Sequence, residues 1–172
     1  MRFLRGTPSE IPMLEILEIK KHLLAGEIEP ALLIVEELEE MGRQSEIRNL
    51  ESFLVILLIH LIKIQVEQRL TSSWKSSIIN SLLAIKKRNK LGKKAHYIYA
   101  QNWQEYLEDN FTPAVVAASR EAFGGIDYTE LRDKCDRVSI LNFANNLLQL
   151  TYSYSQEELV TEIEHKLSKF NI

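Results

Sequence analysis

Cysteine is almost absent from this sequence. Cys135 is the one cysteine in 172 residues, which excludes an internal disulfide and a zinc site built on cysteines. Its neighbours Asp133 and Asp136 would raise the pKa of the thiol, the wrong direction for a nucleophile. We therefore interpret Cys135 as a structural residue.

Glycine and proline are also scarce, and two long segments lack both. Neither residue occurs between Arg43 and Leu91, nor between Ile126 and Ile172. These segments are rich in Leu, Ile, Glu, Lys and Gln, which favour helix, and no segment shows the two-residue alternation of a half-buried strand. The sequence therefore predicts an all-α fold.

Long apolar runs are missing as well. The longest, from Phe53 to Ile62, covers ten residues and is interrupted by His60, whereas a membrane span takes about 20. Residues 6–12 are polar and contain proline, where a secretory signal would have an apolar core. We expect a cytoplasmic protein without membrane insertion.

The few breakers divide the chain into helices. Gly26 is expected to end a first helix, Gly42 to end a second, and Gly92 to end a fourth. The third, at about residues 45–68, is apolar on all sides in its middle, which is typical of a helix surrounded by others. The other predicted helices cover residues 72–90, 93–110, 113–123, 127–150 with a candidate break near Ser139, and 156–169 after the capping box of Ser155 and Glu158. The expected fold is an irregular bundle of about seven to eight helices around the central apolar helix at about 45–68. It forms a single helical domain, 1–172, in which 126–172 is a candidate helical appendage.

Charge is distributed unevenly. The net charge is −5 over residues 1–60, +8 over residues 61–104 and −6 over residues 105–172. A candidate basic patch consists of Lys86, Lys87, Arg88, Lys90, Lys93 and Lys94. With Tyr97, Tyr99 and Trp103 following, the patch could bind single-stranded nucleic acid by phosphate contacts and stacking. It could instead dock against an acidic surface, on the chain's own termini or on another subunit, and the pI of 5.9 disfavours a nucleic-acid partner.

A candidate polar cluster is formed by residues of the second and third predicted helices. Glu37, Arg43 and Glu51 flank the expected turn at Gly42, where an ion-pair cluster could fix the angle between two helices. Arg43 as an anion binder is the alternative. His60 lies in the most apolar stretch and needs a polar partner there. It could be a structural histidine bonded to a Glu or a backbone carbonyl. Alternatively, it could be a metal ligand or acid–base group, with Glu36, Glu37, Glu40 or Glu51 nearby.

Motifs for a cofactor or metal are sparse. A helical di-metal site needs two Glu-x-x-His motifs, and only Glu162-Ile-Glu-His165 is found. The chain has no P-loop, dinucleotide fingerprint, nucleophile elbow or metalloprotease motif. We expect neither a cofactor nor a metal, and we assign no catalytic residues.

Three segments resemble a known family. They are Leu32-Leu-Ile-Val-Glu-Glu-Leu-Glu-Glu-Met-Gly-Arg-Gln-Ser-Glu46, Leu50-Glu-Ser-Phe-Leu-Val-Ile-Leu-Leu-Ile-His-Leu-Ile-Lys63, and Ser72-Ser-Trp74 with Ile78. In order and spacing they are similar to the bacterial, largely cyanobacterial, family catalogued as domain of unknown function 29, over about residues 20–80. The resemblance implies an α-helical fold and brings no activity with it.

The sequence favours a structural or protein-interaction module without catalytic activity, binding a protein partner or forming a homo-oligomer. Two alternatives stay open at this point. One is a nucleic-acid-binding protein that uses the basic patch 86–94. The other is a metal or small-ligand site centred on His60.

Overall fold

A computed structural model describes residues 11–170, which contain helices and no strand. The predicted all-α fold is confirmed. The helices are α1 (Ile11–Leu24), α2 (Ile28–Glu67), α3 (Ser72–Arg88), α4 (Trp103–Ser119), α5 (Tyr128–Lys134), α6 (Arg137–Ser153) and α7 (Gln156–Leu167), with 3₁₀ turns at Ala100–Asn102 and Ala122–Gly124.

The predicted helix break at Gly42 is wrong, because α2 continues through it for 40 residues. A single glycine costs a helix only about 1 kcal/mol relative to alanine, and the surrounding residues are good helix formers. Glu40 also bridges the glycine along the helix. It accepts hydrogen bonds from Arg43 Nε and Nη2 at 3.0 and 2.8 Å and from Gln44 Nε2 at 2.9 Å.

The predicted helices at 93–110 and 113–123 are also corrected. Residues 93–99 are not helical, and α4 runs from Trp103 through Pro113 without a break. The break between α5 and α6 falls at Cys135 and Asp136 rather than near Ser139. Asp136 begins α6 because its carboxylate accepts a hydrogen bond from the Ser139 backbone N–H at 3.1 Å, as N-cap residues do.

Several predicted helix ends are confirmed. Gly26 adopts the left-handed conformation after α1, with a φ of 75°, and Ser155 and Glu158 form the complete capping box of α7. Helix α3 begins at Ser72 as predicted, and its N-cap is Thr71, whose Oγ1 accepts a hydrogen bond from the Trp74 N–H at 3.1 Å.

The chain forms two compact units, residues 1–45 and 46–172. In the second unit, α4 packs on α5 and α6, while α3 packs on α6 and α7. One hydrophobic cluster joins these helices to the buried part of α2. The residues that α2 contributes are Leu50, Leu54, Leu57, Leu58, Leu61, Ile62 and Ile64.

Residues from 126 onward also enter that cluster, through Leu131, Ile140, Leu148 and Leu159 among others. The prediction of one domain with a C-terminal appendage stays a prediction. Within the described chain, α2 is long and apolar enough to cross a membrane by length and composition. A core helix meets the same criteria, and the apolar middle of α2 lies in the cluster.

Candidate functional site

The chain between α3 and α4 forms a loop that is clamped at its base. This basic loop, residues 89–98, begins at the buried Asn89 and ends at the buried Ile98. The Asn89 side chain donates to Ile98 O and accepts from Ile98 N, both at 2.8 Å. A further hydrogen bond joins Leu91 N to Ala95 O at 2.9 Å. The hydrogen bonds between Asn89 and Ile98 form a clamp that holds the two ends of the loop together. None of these bonds uses a side chain from the tip of the loop.

Tyr152 of α6 reinforces the clamp. Its hydroxyl donates to Ile98 O at 2.7 Å and accepts from Asn89 Nδ2 at 3.1 Å. The buried indole of Trp103 donates to the same hydroxyl at 2.5 Å. His96 packs edge-on against the Tyr152 ring and contacts Asn89 O through Nδ1 at 2.7 Å. Burial raises the pKa of Tyr152, so the hydroxyl keeps the proton that it donates.

The basic patch divides into bonded and unpaired cations. Lys86 donates to Thr151 O at 3.1 Å, and Arg88 lies 3.8 Å from a Glu46 oxygen. Four exposed lysines form no ion pair with any carboxylate in residues 11–170. They are Lys87, Lys90, Lys93 and Lys94. Their charge is therefore available to an anionic partner.

The aromatic residues beside the patch are mostly unavailable for stacking. Trp103 is fully buried and Tyr97 is half-buried, while Tyr99 is 47% exposed. Trp103 and Tyr97 pack on the hydrophobic core instead. A small cavity of about 90 Å³ lies between Lys86, Lys90 and His96, on the side of the loop where α3 and α6 end.

His60 is bound to its own helix. Its Nδ1 lies 2.8 Å from Ile56 O, one turn earlier. A carbonyl can only accept, so Nδ1 carries the proton in this contact. Burial is the main cause that lowers the pKa of His60, although the bond to Ile56 opposes it. The neutral imidazole is therefore the form that the fold favours.

One turn after His60, a buried lysine forms an ion pair that the sequence did not indicate. Lys63 is 5% exposed, and its ammonium donates to Glu121 Oε2 at 2.6 Å. The same ammonium lies 4.6 Å from the centroid of the Trp74 ring, within the range of a cation–π contact. The hydrogen bond from Lys63 is the main cause that lowers the pKa of Glu121. The ion pair with Glu121 and the contact with the Trp74 indole together offset the energetic cost of burying the charge of Lys63.

The residues of the candidate polar cluster have separate partners. Arg43 pairs with Glu40, Glu51 accepts a hydrogen bond from Asn110 Nδ2 at 3.0 Å, and His60 contacts Ile56. Glu37 is exposed on α2. Because α2 is continuous at Gly42, there is no turn whose angle an ion-pair cluster could fix.

No three side chains of His, Cys, Asp or Glu come together as potential metal ligands within the part of the chain that the structure describes. Burial raises the pKa of the Cys135 thiol to about 11. The direction is the one expected from the sequence, but its cause is burial rather than the flanking carboxylates.

Helix α1 in the first unit turns its apolar side to solvent. Its half-buried positions include Glu15, Glu18 and His22, whereas a helix packed on its own protein normally buries its apolar residues. The exposed side chains define the apolar face: Met13, Leu14, Ile16, Leu17, Leu23 and Leu24, at 53–81% exposure. Within residues 11–170, the apolar face of α1 stays largely exposed to solvent.

The first turns of α2 carry an acidic face. Glu29, Glu36, Glu37 and Glu40 recur at helical spacing and are exposed, and Leu32 and Leu33 lie among them at 53% and 61% exposure. On the opposite side of the helix, Ala31 and Ile34 are buried. A shallow depression is lined by Leu33, Glu36, Glu37, Glu40 and Met41.

The sequence pattern did not indicate the clamp, the Lys63–Glu121 pair or the outward apolar face. A lone amide within a run of cations is a signal that could have singled out Asn89. Lys63, a charge at the end of the most apolar run, likewise called for a partner. Nothing local indicates Glu121, which lies 58 residues away.

No curated protein and no solved structure gives a significant match. The family model described as Domain of unknown function DUF29 matches residues 27–137, about two thirds of the chain. The match contains most of the region of resemblance found in the sequence and extends through α3 and α4 to the end of α5. The chain belongs to this family.

Proposed function

We propose that this protein is a non-catalytic helical module that works by binding another protein through its first unit. The observation that carries the proposal is the apolar face of α1, whose large side chains lie outward while carboxylates occupy half-buried positions. Contiguous apolar surface of this kind is typical of interaction sites.

The size of the exposed surface supports a protein partner. Burying one Leu or Ile side chain contributes about 1.5–3 kcal/mol, and α1 exposes six large apolar residues. The beginning of α2 adds Ile28, Leu32 and Leu33. At roughly 100 Å² for each of these nine side chains, the two helices present on the order of 900 Å². One partner of a standard protein interface buries about this area.

Site-specific photo-crosslinking in cells tests the proposal. A benzophenone amino acid replaces Leu17 or Leu24 on the apolar face, and in the matched control it replaces Val138, which is 68% exposed in the second unit. We expect one discrete crosslinked product from the two α1 positions and none from Val138. A Leu14→Glu substitution in the same chain should remove the product, because it places a charge in the contact.

Two outcomes contradict the proposal. One is the absence of a discrete product at Leu17 and Leu24. The other is a product that persists with Leu14→Glu, or that forms equally at Val138.

A further inference from the structure

We infer that the basic loop of one copy binds the acidic face of a second copy of this chain. The inference rests on the proposed function, because it takes a second copy of the chain as the protein partner and adds the acidic face of α2 to the surface through which the first unit binds. Both halves of the contact are surfaces described above: Lys90, Lys93 and Lys94 on the basic loop, and Glu36 and Glu37 on the acidic face.

Opposite charge favours the pairing of the basic loop with the acidic face. Residues 11–45 contain eight glutamates against Lys20, Lys21 and Arg43, so the first units of two copies would repel each other. The basic loop has the opposite sign, and its lysines form no ion pair with a described carboxylate. Opposite patches steer association and disfavour like-charged partners.

The apolar groups match as well. Leu91 is 47% exposed within the basic loop, beside Lys90. On the acidic face, Leu32 and Leu33 are exposed among glutamates. Each surface thus combines apolar side chains with a charged border, the arrangement of a small interface with a polar rim.

The clamp prepares the basic loop for binding. Asn89, Ile98 and Tyr152 fix the base of the loop in the free chain, so little backbone has to be ordered when a partner arrives. Such preorganisation lowers the entropic cost of association.

A nucleic-acid partner fits these surfaces less well. Base stacking needs accessible rings, and of the three aromatic residues after the patch only Tyr99 is exposed. The chain as a whole carries a net charge of −3, which disfavours a polyanionic partner. A second copy satisfies both charged surfaces at once.

Sedimentation velocity on the full chain tests the inference by charge exchange. One variant carries Glu36→Lys and Glu37→Lys, and the other carries Lys93→Glu and Lys94→Glu. We expect the unmodified chain to self-associate at low salt and to dissociate near 1 M salt, where the screening length falls to about 3 Å. Each variant alone should associate at least about tenfold more weakly.

The decisive measurement is the equimolar mixture of the two variants. Each surface then meets the opposite charge again, so the mixture should recover the association that either variant lacks. Matched controls reverse the same number of exposed charges elsewhere, as Asp109→Lys with Glu130→Lys and as Arg120→Glu with Lys169→Glu. These controls should associate like the unmodified chain.

Several results would overturn the inference. They are a chain that stays monomeric at low salt, association that both variants retain, and a mixture that fails to recover it. Tight binding of a single-stranded oligonucleotide by a monomeric chain, lost with Lys93→Glu and Lys94→Glu, would assign the loop to nucleic acid. If Leu17 crosslinks to a different protein while the purified chain is monomeric, this inference fails and the proposed function stands.

Discussion

In the second unit, polar side chains at interior positions find their hydrogen-bond partners mostly in backbone atoms nearby in sequence or in one other side chain. His60 contacts Ile56 O, Asn89 holds Ile98, and Lys63 reaches Glu121. Buried polar groups without such partners would each destabilise the fold by about 1–3 kcal/mol. These contacts explain why polar side chains are tolerated at interior positions.

The lowered pKa of His60 predicts a pH-dependent contribution to stability. The unfolded chain binds a proton near the usual pKa of about 6.5, while the folded chain resists it because His60 is partly buried, which lowers its pKa. Stability from this residue is present above pH 6.5 and is lost as the pH falls toward the lower folded pKa. As the pH is lowered from 7.5 to 5.5, we expect the free energy of unfolding of the native chain to fall toward that of the His60→Gln variant.

Urea unfolding of both chains at pH 7.5, 6.5 and 5.5 measures this difference. Glu121, whose pKa is also lowered, loses its contribution only as the pH falls below its usual value of 4.5 and thus does not interfere. A difference that stays constant or widens as the pH falls would show that His60 takes up its proton in the folded chain.

At the residue scale, the sequence predicted that His60 needs a partner but did not identify it. The candidates were a carboxylate on a neighbouring helix and a backbone carbonyl, and only the structure shows the Ile56 contact. The partners of Lys63 and Asn89 depend on how distant helices pack. The Lys63–Glu121 and Asn89–Tyr152 contacts span 58 and 63 residues, beyond the reach of local spacing rules.

At the scale of elements, helix ends were predicted well where a side chain or a left-handed glycine ends the helix. Gly26 and the capping box of Ser155 are such cases. Gly42 and Pro113 were misjudged, because a residue that weakens a helix does not break it when its neighbours favour helix. Whether a glycine or proline ends a helix therefore depends more on the helix propensity of the flanking residues than on its presence alone.

Gly42 provides a stability prediction for α2. It is an exposed helical position, and an added Cβ meets no atom within 4 Å. Gly42→Ala should therefore stabilise the helix by about 1 kcal/mol. The matched control is Gly26→Ala, which has equal space but a φ of +75° and should destabilise by about 1–2 kcal/mol. Hydrogen exchange of backbone amides near each site measures both effects, and slower exchange is expected around Gly42→Ala only.

The result that contradicts a continuous helix is faster exchange around residue 42 in the Gly42→Ala chain. This would mean that the glycine serves a bend that alanine cannot form.

At the scale of the whole molecule, the hydrophobic core belongs to one unit. Every residue of the main buried cluster, from Leu50 to Phe170, lies in residues 46–172. The two tryptophans, Trp74 and Trp103, lie in the same unit and report on its folding. In the described part of the first unit, residues 13–45, the buried residues are Ala31 and Ile34.

We therefore expect a fragment of residues 46–172 to fold by itself. Its tryptophan fluorescence should show one cooperative urea transition with a midpoint close to that of the full chain. Leu58→Ala, which removes a fully buried side chain, should cost about 2–5 kcal/mol in both the fragment and the full chain. A broad, non-cooperative transition of the fragment would show that the first unit is required for the core.

The Asn89–Ile98 clamp has a consequence for sequence change. The hydrogen bonds that close the base of the loop involve Asn89, Ile98, Tyr152 and Trp103, while the Leu91–Ala95 bond lies nearer the tip. Residues 92–94 can accordingly be exchanged, or lengthened by an inserted peptide, while the contacts at the base stay in place, since extending a loop has only a small entropic effect. The loop is thus a natural insertion point for an epitope or a fluorescent label. Its recognition properties can diverge while the helices beneath stay unchanged.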